Sequence, residues 1–456
     1  MLLLGAALRV GMLAQDSRFD VDEALYASYA RRISLHGDIL LADIPLDKPP
    51  LGLAVTALSF SVFGPTEFAA RLPTLFVSLL TLAAVYRLAL RLDQRGAVLI
   101  MLLLALSPFD LAFAATAYLD PLMTLWLMLS LLAASRDQWR AAGLAFALAV
   151  ATRQSALPFA ALVISIGIGA NAHMGWRWPD VALRLRRFAV PALAVGAALA
   201  LWSAARAAPI DFWTLSVING APDRLIRANE VVPRLERWLH LLGYVTGFGP
   251  LLVAAILALL PRPGTAAPRR KVVLTVLLVT GILAFLLAYW LFSFNTYDRY
   301  LHPLAPLILI LVGIGARRLH RFSIAAVVAL MLPFTLAALR GPLDIGGDHG
   351  QHTGIVQLAA AIQALPAGST VYNYSLGWEL GYYLGDQPAV QVVFQPTPQA
   401  LARAVCANAE ASYFAAPAAE SAGWLVPLEA GGGSITLLSD GPFRLYRLSC
   451  SSKAWT

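Results

Sequence analysis

The stretch Phe19-Asp-Val-Asp-Glu-Ala-Leu-Tyr-Ala-Ser-Tyr-Ala30 is the first polar segment of an otherwise apolar chain, and Leu46-Asp-Lys-Pro-Pro-Leu-Gly52 follows it closely. Polar positions recur every three to four residues from Asp22 to Tyr29, which predicts a helix with one polar face. The helix dipole and free backbone N–H groups stabilise a carboxylate in a first turn as the anion. Asp22 is therefore expected to stay ionised and to accept a proton, as a general base must. An ordinary helix cap on a solvated loop is the competing interpretation.

The composition predicts a polytopic membrane protein. Hydrophobic residues make up 59% of the 456 residues, charged residues only 13%, and the mean hydropathy is +0.69. A soluble domain typically carries about 25% charged residues. The net charge of +8 does not indicate nucleic-acid binding, because the Lys and Arg residues form short clusters between apolar runs and no basic domain. We predict a mostly α-helical bundle in the plasma membrane, with the lipid bilayer as a partner and without nucleic acid.

About eleven apolar stretches are predicted to be membrane spans. The first, residues 1–14, is short for a crossing of roughly 20 residues and lacks the basic start and cleavage site of a signal peptide. We expect it to be a span whose beginning is clipped. Residues 50–63 are also apolar but are expected to lie along the outer interface, because a crossing there would reverse all later turns. The remaining predicted spans are 67–90, 97–117, 119–135, 139–153, 155–171, 188–207, 239–260, 272–292, 301–316 and 322–339.

Clusters of basic residues assign the two sides of the membrane. They occur at alternate turns, which are cytoplasmic by the positive-inside rule. The opposite turns, which hold residues 20–48, Asp120, 208–238 and 297–300, are then extracytoplasmic. The loop 209–239 is expected either to cover a functional site as a lid or to be an interfacial connector. The basic clusters are Arg87/Arg91/Arg95, Arg136/Arg140, Arg177/Arg184/Arg186/Arg187, Arg262/Arg269/Arg270/Lys271 and Arg317/Arg318/Arg321.

The tripeptide Lys48-Pro49-Pro50 predicts an anion site. Proline suits the first turn of a helix and holds the preceding residue extended, so Lys48 is expected in front of a helix N-terminus. The helix dipole disfavours a cation there unless an anion such as phosphate binds between the ammonium group and the free N–H groups. A lysine that snorkels to lipid headgroups is an equally simple interpretation.

The sequence changes character after Arg340. Residues 341–456 contain regular Gly and Pro punctuation and predict a small α/β domain outside the cytoplasm. Cys406 and Cys450, the two cysteines of the chain, both lie in this domain, where oxidation is permitted. We predict a disulfide between them, with two buried free thiols as the alternative.

The predicted strands of this domain are 369–374, 390–394, 412–414, 434–438 and 443–448, and the predicted helices are 353–365, 376–384 and 398–410. Its aromatic residues are expected to belong to the core rather than to stack on a sugar. They are Tyr372, Tyr374, Trp378, Tyr382 and Tyr383.

Five motifs occur in order along the first 340 residues. They are Asp22-Glu23 with Tyr26-Ala27, Lys48-Pro-Pro-Leu-Gly52, Glu67-Phe-Ala-Ala-Arg-Leu-Pro73, Tyr118-Leu-Asp-Pro121 and Arg299-Tyr-Leu-His-Pro303. In this order they resemble the protein-mannosyltransferase superfamily, which includes the protein O-mannosyltransferases and the lipid A aminoarabinose transferases and has a GT-C fold. The sequence departs from the family pattern at its short amino terminus, at His302, and at Thr152-Arg153-Gln154, where a Thr-Lys pair is common.

The resemblance implies a transmembrane glycosyltransferase domain at residues 1–340, with an outer catalytic loop at 16–66, followed by an extracytoplasmic domain at 341–456. Such an enzyme transfers a sugar, with inversion, from a polyprenyl-phosphate donor to a protein, lipid or glycan acceptor on the outer face of the membrane.

Three carboxylates and one lysine match functional positions of the family. Its catalytic aspartate in the first outer loop matches Asp22, with Glu23 beside it, and its second acidic position matches Asp120. The residues alone would make Asp120 a helix cap. The family's donor-phosphate lysine matches Lys48. No cofactor is implied, and no metal site is predicted, although Asp22, Glu23 and Asp120 offer ligands for a divalent ion.

The expected chemistry agrees with these roles. A polyprenyl phosphate is an activated leaving group, so the enzyme needs a base for the acceptor and positive charge for the departing phosphate. Arg153 and Arg299 are further candidates for the phosphate, because positive charge on the outer side runs against the topological trend. An ion pair with Asp298, or interfacial anchoring, is the alternative for Arg299. The alternative function is a transporter or flippase, but the mid-span charges and inverted repeats that it predicts are not evident.

Overall fold

The structure, a computed structural model, describes residues 1–171, 177–222, 224–258, 269–318, 321–341, 343–385, 389–408 and 411–450. By their contacts, the residues form two compact units. The helical unit comprises Met1–Gln15 and Ile33–Gly346, and the carboxy-terminal unit comprises Asp16–Arg32 and Gly347–Thr456. The longer segment of the second unit begins at Gly347, and its shorter segment, residues 16–32, contains part of the predicted outer catalytic loop 16–66. The division into a glycosyltransferase domain at 1–340 and an extracytoplasmic domain at 341–456 stays a prediction.

Among the described residues between Leu2 and Arg340, sixteen α-helices follow one another, with three 3-10 helices between them. The helices are α1 (Leu2–Leu13), α2 (Val21–His36), α3 (Pro50–Phe63), α4 (Glu67–Leu92), α5 (Ala97–Leu106), α6 (Pro108–Ala114), α7 (Asp120–Ser135), α8 (Trp139–Thr152), α9 (Ala160–Ala170), α10 (Trp178–Ala205), α11 (Phe212–Gly220), α12 (Val231–Thr246), α13 (Gly249–Ala258), α14 (Arg269–Leu291), α15 (Ala305–Arg318) and α16 (Arg321–Arg340). The 3-10 helices are Gln154–Phe159, Ala228–Glu230 and Asp298–Leu301.

Prolines and capping side chains set several helix starts. Pro49 is the N-cap of α3 and Pro50 its first residue, so Lys48 does precede a helix N-terminus as predicted. Helix α7 begins at Asp120 with Pro121 in its first turn. The hydroxyl of Thr66 caps α4 by accepting a hydrogen bond from a backbone N–H group of its first turn.

Two predicted spans are interrupted by helix breaks. Residues 97–117 form α5 and α6, which meet at 60°, with Ser107 between them. The described part of the predicted span 239–260, residues 239–258, is divided after α12 by Gly247, whose φ of 72° lies in the left-handed region that glycine favours. The last two residues of this predicted span lie outside the described residues. Both breaks place a turn inside an apolar stretch, which hydrophobicity alone does not reveal.

In the part of the chain that the structure describes, three helices are long and apolar enough to cross a membrane: α4, α10 and Lys271–Leu291 of α14. The bent pair α5–α6 makes a fourth if it is one span. The other apolar helices have 10–17 residues. The predicted eleven spans therefore exceed the number of long continuous helices, because the prediction counted apolar residues across breaks and included short helices.

The helical unit buries an ion pair that the sequence analysis did not find. Arg9 of α1 is fully buried, and its guanidinium group contacts the carboxylate of Asp110 in α6 and donates to the hydroxyl of Ser78 at 2.6 Å. Buried charges inside the spans, which the sequence analysis did not find, are therefore present at this pair. Each of the two charges has the other as its partner, which is the arrangement that a buried ion requires.

The carboxy-terminal unit contains a mixed five-stranded sheet with the strand order β2-β1-β3-β5-β4. Strand β1 is parallel to β2 and β3, whereas β5 is antiparallel to β3 and β4. The strands are β1 (Thr370–Asn373), β2 (Gln391–Phe394), β3 (Ser412–Pro417), β4 (Ser434–Ser439) and β5 (Phe443–Ser449), and the helices are α17 (Ile355–Gln363), α18 (Gly377–Tyr383), α19 (Pro398–Ala407) and α20 (Ala418–Ala430).

All five predicted strands are present, and the predicted α/β domain is confirmed in this unit. Helix α20 was not predicted, because Gly423 and Pro427 lie within it. The last two residues of the predicted helix 398–410 lie outside the described residues. The predicted disulfide between Cys406 and Cys450 is present. Among the aromatic residues expected in the core, Tyr372 and Tyr382 are buried, whereas Trp378 is 41% exposed.

Candidate active site

Two adjoining cavities lie in the helical unit, one with cationic side chains and one apolar. The first has a volume of about 360 Å³ and includes Lys48 and Arg153 in its lining. The second, of about 400 Å³, is lined among the described residues by apolar and aromatic side chains and by glycine. Pro158, Tyr289 and Phe294 line both cavities. The pair therefore offers a polar end and an apolar end to one amphipathic ligand.

Lys48 enters the first cavity from the segment in front of α3. Its side chain is 18% exposed, and its Nζ lies 2.5 Å from the carboxylate of Asp47. The backbone carbonyl of Asp47 accepts a hydrogen bond from Gln154 at 2.6 Å, and its carboxylate accepts one from Asn219 at 3.5 Å. These bonds hold the segment that carries Lys48 against the start of the 3-10 helix Gln154–Phe159.

Arg153 enters the same cavity from the end of α8. Its guanidinium group pairs with the carboxylate of Asp120, at the start of α7, and lies 5.3 Å from the centre of the Tyr300 ring. Asp120 is fully buried, and its second oxygen, Oδ1, has no hydrogen-bond partner among the described residues. The structure thus brings together two residues that the sequence analysis had singled out separately.

Arg299 lies in the 3-10 helix Asp298–Leu301 and stacks on tyrosine rings. Its guanidinium carbon is 4.4 Å from the ring centre of Tyr297 and 5.6 Å from that of Tyr118. The carboxylate of Asp298 accepts hydrogen bonds from the backbone N–H groups of Arg299 and Gly346, both at 2.7 Å. Tyr300, in the same turn, lines the first cavity, whereas Arg299 is not among the lining residues.

Asp22 and Glu23 lie in the first turn of α2, in the carboxy-terminal unit. The backbone N–H of Glu23 donates to the carboxylate of Asp20 at 2.9 Å, and the backbone N–H of Asp20 donates to the carboxylate of Glu23 at 3.3 Å. This reciprocal pair is a capping box, and it gives Glu23, which is fully buried, a structural role. Asp22 is only half-buried. Of the two neighbouring carboxylates, Asp22 is therefore the better candidate for a base.

No group of three or more His, Cys, Asp or Glu side chains is placed to hold a metal ion in the described ranges of the chain. The possibility of a divalent ion at Asp22, Glu23 and Asp120 stays a prediction.

Several residues of the cationic cavity were missed by the sequence analysis. Helix α11, in the 208–238 loop, contributes Trp213 and Ser216 to the lining, and Gln154 donates a hydrogen bond to the hydroxyl of Ser216. This placement agrees with a loop that covers the site. Two signals were visible in the sequence: Asp47 adjoins Lys48, and Gln154 belongs to the tripeptide that departs from the family pattern.

Known proteins resemble this chain in sequence and in fold. Residues 47–207 match the family model described as dolichyl-phosphate-mannose-protein mannosyltransferase. The undecaprenyl phosphate-alpha-4-amino-4-deoxy-L-arabinose arabinosyl transferase of Erwinia tasmaniensis is 29% identical over 220 residues, which are 44% of this chain and 36% of that protein. The chain thus matches about a third of the length of this curated relative.

Two crystal structures of ArnT from Cupriavidus metallidurans share the fold. The structure bound to undecaprenyl phosphate has a TM-score of 0.68 at 18% identity, over 100% of this chain and 98% of that chain. The apo structure has a TM-score of 0.66 at 16% identity, over 97% and 96% of the two chains. The family-model match and the curated relative confirm the predicted resemblance to the superfamily. The two crystal structures confirm the predicted polytopic GT-C fold.

Proposed function

We propose that this chain is a membrane glycosyltransferase that moves a sugar, with inversion, from a polyprenyl-phosphate donor to an acceptor on the extracytoplasmic face of the plasma membrane. The observation that carries the proposal is the cationic cavity that adjoins an apolar one in the helical unit. The matched segment 47–207 includes Lys48, Asp120 and Arg153, and the fold is that of a protein crystallised with undecaprenyl phosphate.

The two cavities suit the two parts of such a donor. Lys48 and Arg153 provide positive charge for the phosphate, and the aromatic lining shared with the second cavity provides apolar surface for the first isoprene units. Each buried CH₂ group of the lipid contributes about 0.8 kcal/mol to binding. Arg299 is a further phosphate ligand in this proposal, because it shares its turn with Tyr300 of the cavity lining.

In the proposed reaction, Asp22 accepts the proton of the acceptor group as that group attacks the anomeric carbon of the sugar. The new bond forms on the face opposite the phosphate, so the configuration inverts as the bond to the phosphate oxygen breaks. The polyprenyl phosphate leaves with the bonding electrons, and Lys48 and Arg153 stabilise its added charge. Asp120 orients Arg153 through their ion pair, and Glu23 fixes the first turn that carries Asp22.

Among protein, lipid and glycan acceptors, we favour a lipid, because the similarity to an arabinosyl transferase points to the lipid A branch of the superfamily. The extracytoplasmic side of the site rests on the positions of the basic clusters.

The test compares two variants of the purified full chain with a radiolabelled polyprenyl-phosphate sugar. Asp22→Asn removes the proton acceptor but keeps the size of the side chain, so turnover is expected to fall by roughly 10²–10⁴ while donor affinity survives. Lys48→Ala is expected to weaken both donor affinity and turnover, because its phosphate contact exists in the ground state and strengthens as the bond breaks.

Two results would contradict these roles. Near-normal turnover in Asp22→Asn would move the search for the base to Glu23 or Asp120. If Lys48→Ala binds the donor as tightly as the parent does, Lys48 is not a phosphate ligand. Arg153 and Arg299 would then be the remaining candidates for binding the phosphate. An absence of transfer from any polyprenyl-phosphate sugar, with donor uptake across vesicles instead, would favour the transporter.

A further inference from the structure

Within the carboxy-terminal unit, the short helix α18 contacts the α2 segment at two places, one just before the first turn of α2 and one at Arg31. At the start of α2, the backbone N–H of Phe19 donates to the hydroxyl of Tyr383 at 3.0 Å. The Phe19 ring, which is fully buried, meets the Tyr382 ring edge-on at 4.8 Å. These contacts fix the residue just before the capping box.

The second attachment lies toward the other end of α2. The guanidinium group of Arg31 donates to the backbone carbonyl of Tyr382 at 2.7 Å and to that of Gly381 at 3.0 Å. Its central carbon also lies 5.0 Å from the centre of the Tyr382 ring. Arg31 is buried, with 7% of its surface exposed. These two hydrogen bonds end on the last turn of α18, where backbone carbonyls have no partner within the helix.

Helix α18 is itself held to the rest of its unit by a buried charge. Glu379 is fully buried, and its carboxylate lies 3.0 Å from His352 Nε2. On the other side of the imidazole ring, Nδ1 lies 2.5 Å from the carboxylate of Asp348. Burial alone lowers the pKa of His352, but the interactions with Asp348 and Glu379 raise it to about 10. The imidazolium ion thus bridges two carboxylates and ties α18 to the segment that opens this unit.

The geometry points to a role for the carboxy-terminal unit: Tyr383 and Arg31 are positioning residues that hold α2, and with it Asp22, in one orientation. The inference rests on the proposed function of Asp22 as the base. Asp22 lies between the two attachments, three residues after Phe19 and nine before Arg31. A helix held at two points cannot tilt about one of them, and a displacement of about 1 Å at a reacting group is enough to slow a reaction about a hundredfold.

The test uses Tyr383→Phe in the purified full chain, with Tyr374→Phe as the matched control. Both changes remove one hydrogen-bonded hydroxyl from the carboxy-terminal unit, but the Tyr374 hydroxyl donates to Glu420, at 2.5 Å, and not to α2. We expect Tyr383→Phe to lower kcat by about tenfold to a hundredfold with donor affinity unchanged. Tyr374→Phe is expected to keep the kcat of the parent. Arg31→Gln repeats the test from the other end of α2 if Tyr383→Phe does not fold.

A double variant separates positioning from a general loss of structure. If Tyr383 acts only through Asp22, adding Tyr383→Phe to Asp22→Asn should not lower kcat further, because the group being positioned is already gone. Equal kcat values for Tyr383→Phe and Tyr374→Phe, or a full further loss in the double variant, would overturn the positioning role. Undiminished turnover in Asp22→Asn alone would instead overturn the base assignment, and the positioning role with it.

Discussion

Replacement of Asp120 by Asn should destabilise the helical unit strongly, because it leaves a buried cation without its partner. The side chains of Asp120 and Arg153 are only 1% and 5% exposed. Removing one member of a buried ion pair costs about 3–5 kcal/mol, since the remaining charge keeps its desolvation penalty. In the double variant Asp120→Asn/Arg153→Gln no charge is left behind. We therefore expect the double variant to be less destabilised than the sum of the single variants by at least about 1.5 kcal/mol.

The assay is unfolding of the purified protein in mixed micelles with increasing SDS, followed by tryptophan fluorescence, for the parent, both single variants and the double variant. Asp16→Asn is the control, because its ion pair with Arg18 is exposed, with 84% of the Asp16 side chain accessible. Breaking that pair should change the free energy of unfolding by no more than about 0.5 kcal/mol. Single-variant losses that add up to the double-variant loss within about 0.5 kcal/mol would refute the coupling.

Two further predictions concern the carboxy-terminal unit. The double variant Cys406→Ser/Cys450→Ser should lower the free energy of unfolding of this unit by about 2–4 kcal/mol, because the disulfide closes a loop between residues 44 positions apart. Equal alkylation of the unfolded parent with and without reductant would show that the bridge is absent. Alkaline phosphatase fused to the carboxyl end should be active, since the positions of the basic clusters predict that this unit lies outside the cytoplasm. An inactive phosphatase together with an active cytoplasmic reporter would reverse the predicted topology.

Local features of the structure were predictable because they depend on neighbouring residues. Pro49 and Pro50 fix the start of α3 and the position of Lys48 in front of it. Short strand patterns in the sequence, separated by Gly and Pro residues, predicted the five strands to within a few residues. The pairing of Cys406 with Cys450 followed from their being the two cysteines of the chain.

Features that depend on distant residues were not predictable in this way. Residues 16–32 belong to the carboxy-terminal unit because of contacts such as the hydrogen bond between Arg31 and Tyr382, which are 351 positions apart in the sequence. The pairing of Asp120 with Arg153 requires the α7–α8 hairpin to bring their ends together. The buried pair of Arg9 and Asp110 likewise joins α1 to a helix about a hundred residues later. No periodicity or motif carries such information without an alignment of related sequences.

The two cations of the proposed donor cavity already have carboxylate partners, Asp47 for Lys48 and Asp120 for Arg153. The charges within each of these two pairs offset each other, so the four side chains together exert only a weak long-range attraction on small anions. Inorganic phosphate would have to compete with both carboxylates and would gain nothing from the neighbouring apolar cavity. The preference for the lipid donor over inorganic phosphate would then depend on the isoprenoid chain. The length of that chain should therefore affect donor affinity more than the salt concentration does. Such a cavity can remain available to a scarce membrane lipid in the presence of abundant dissolved phosphate.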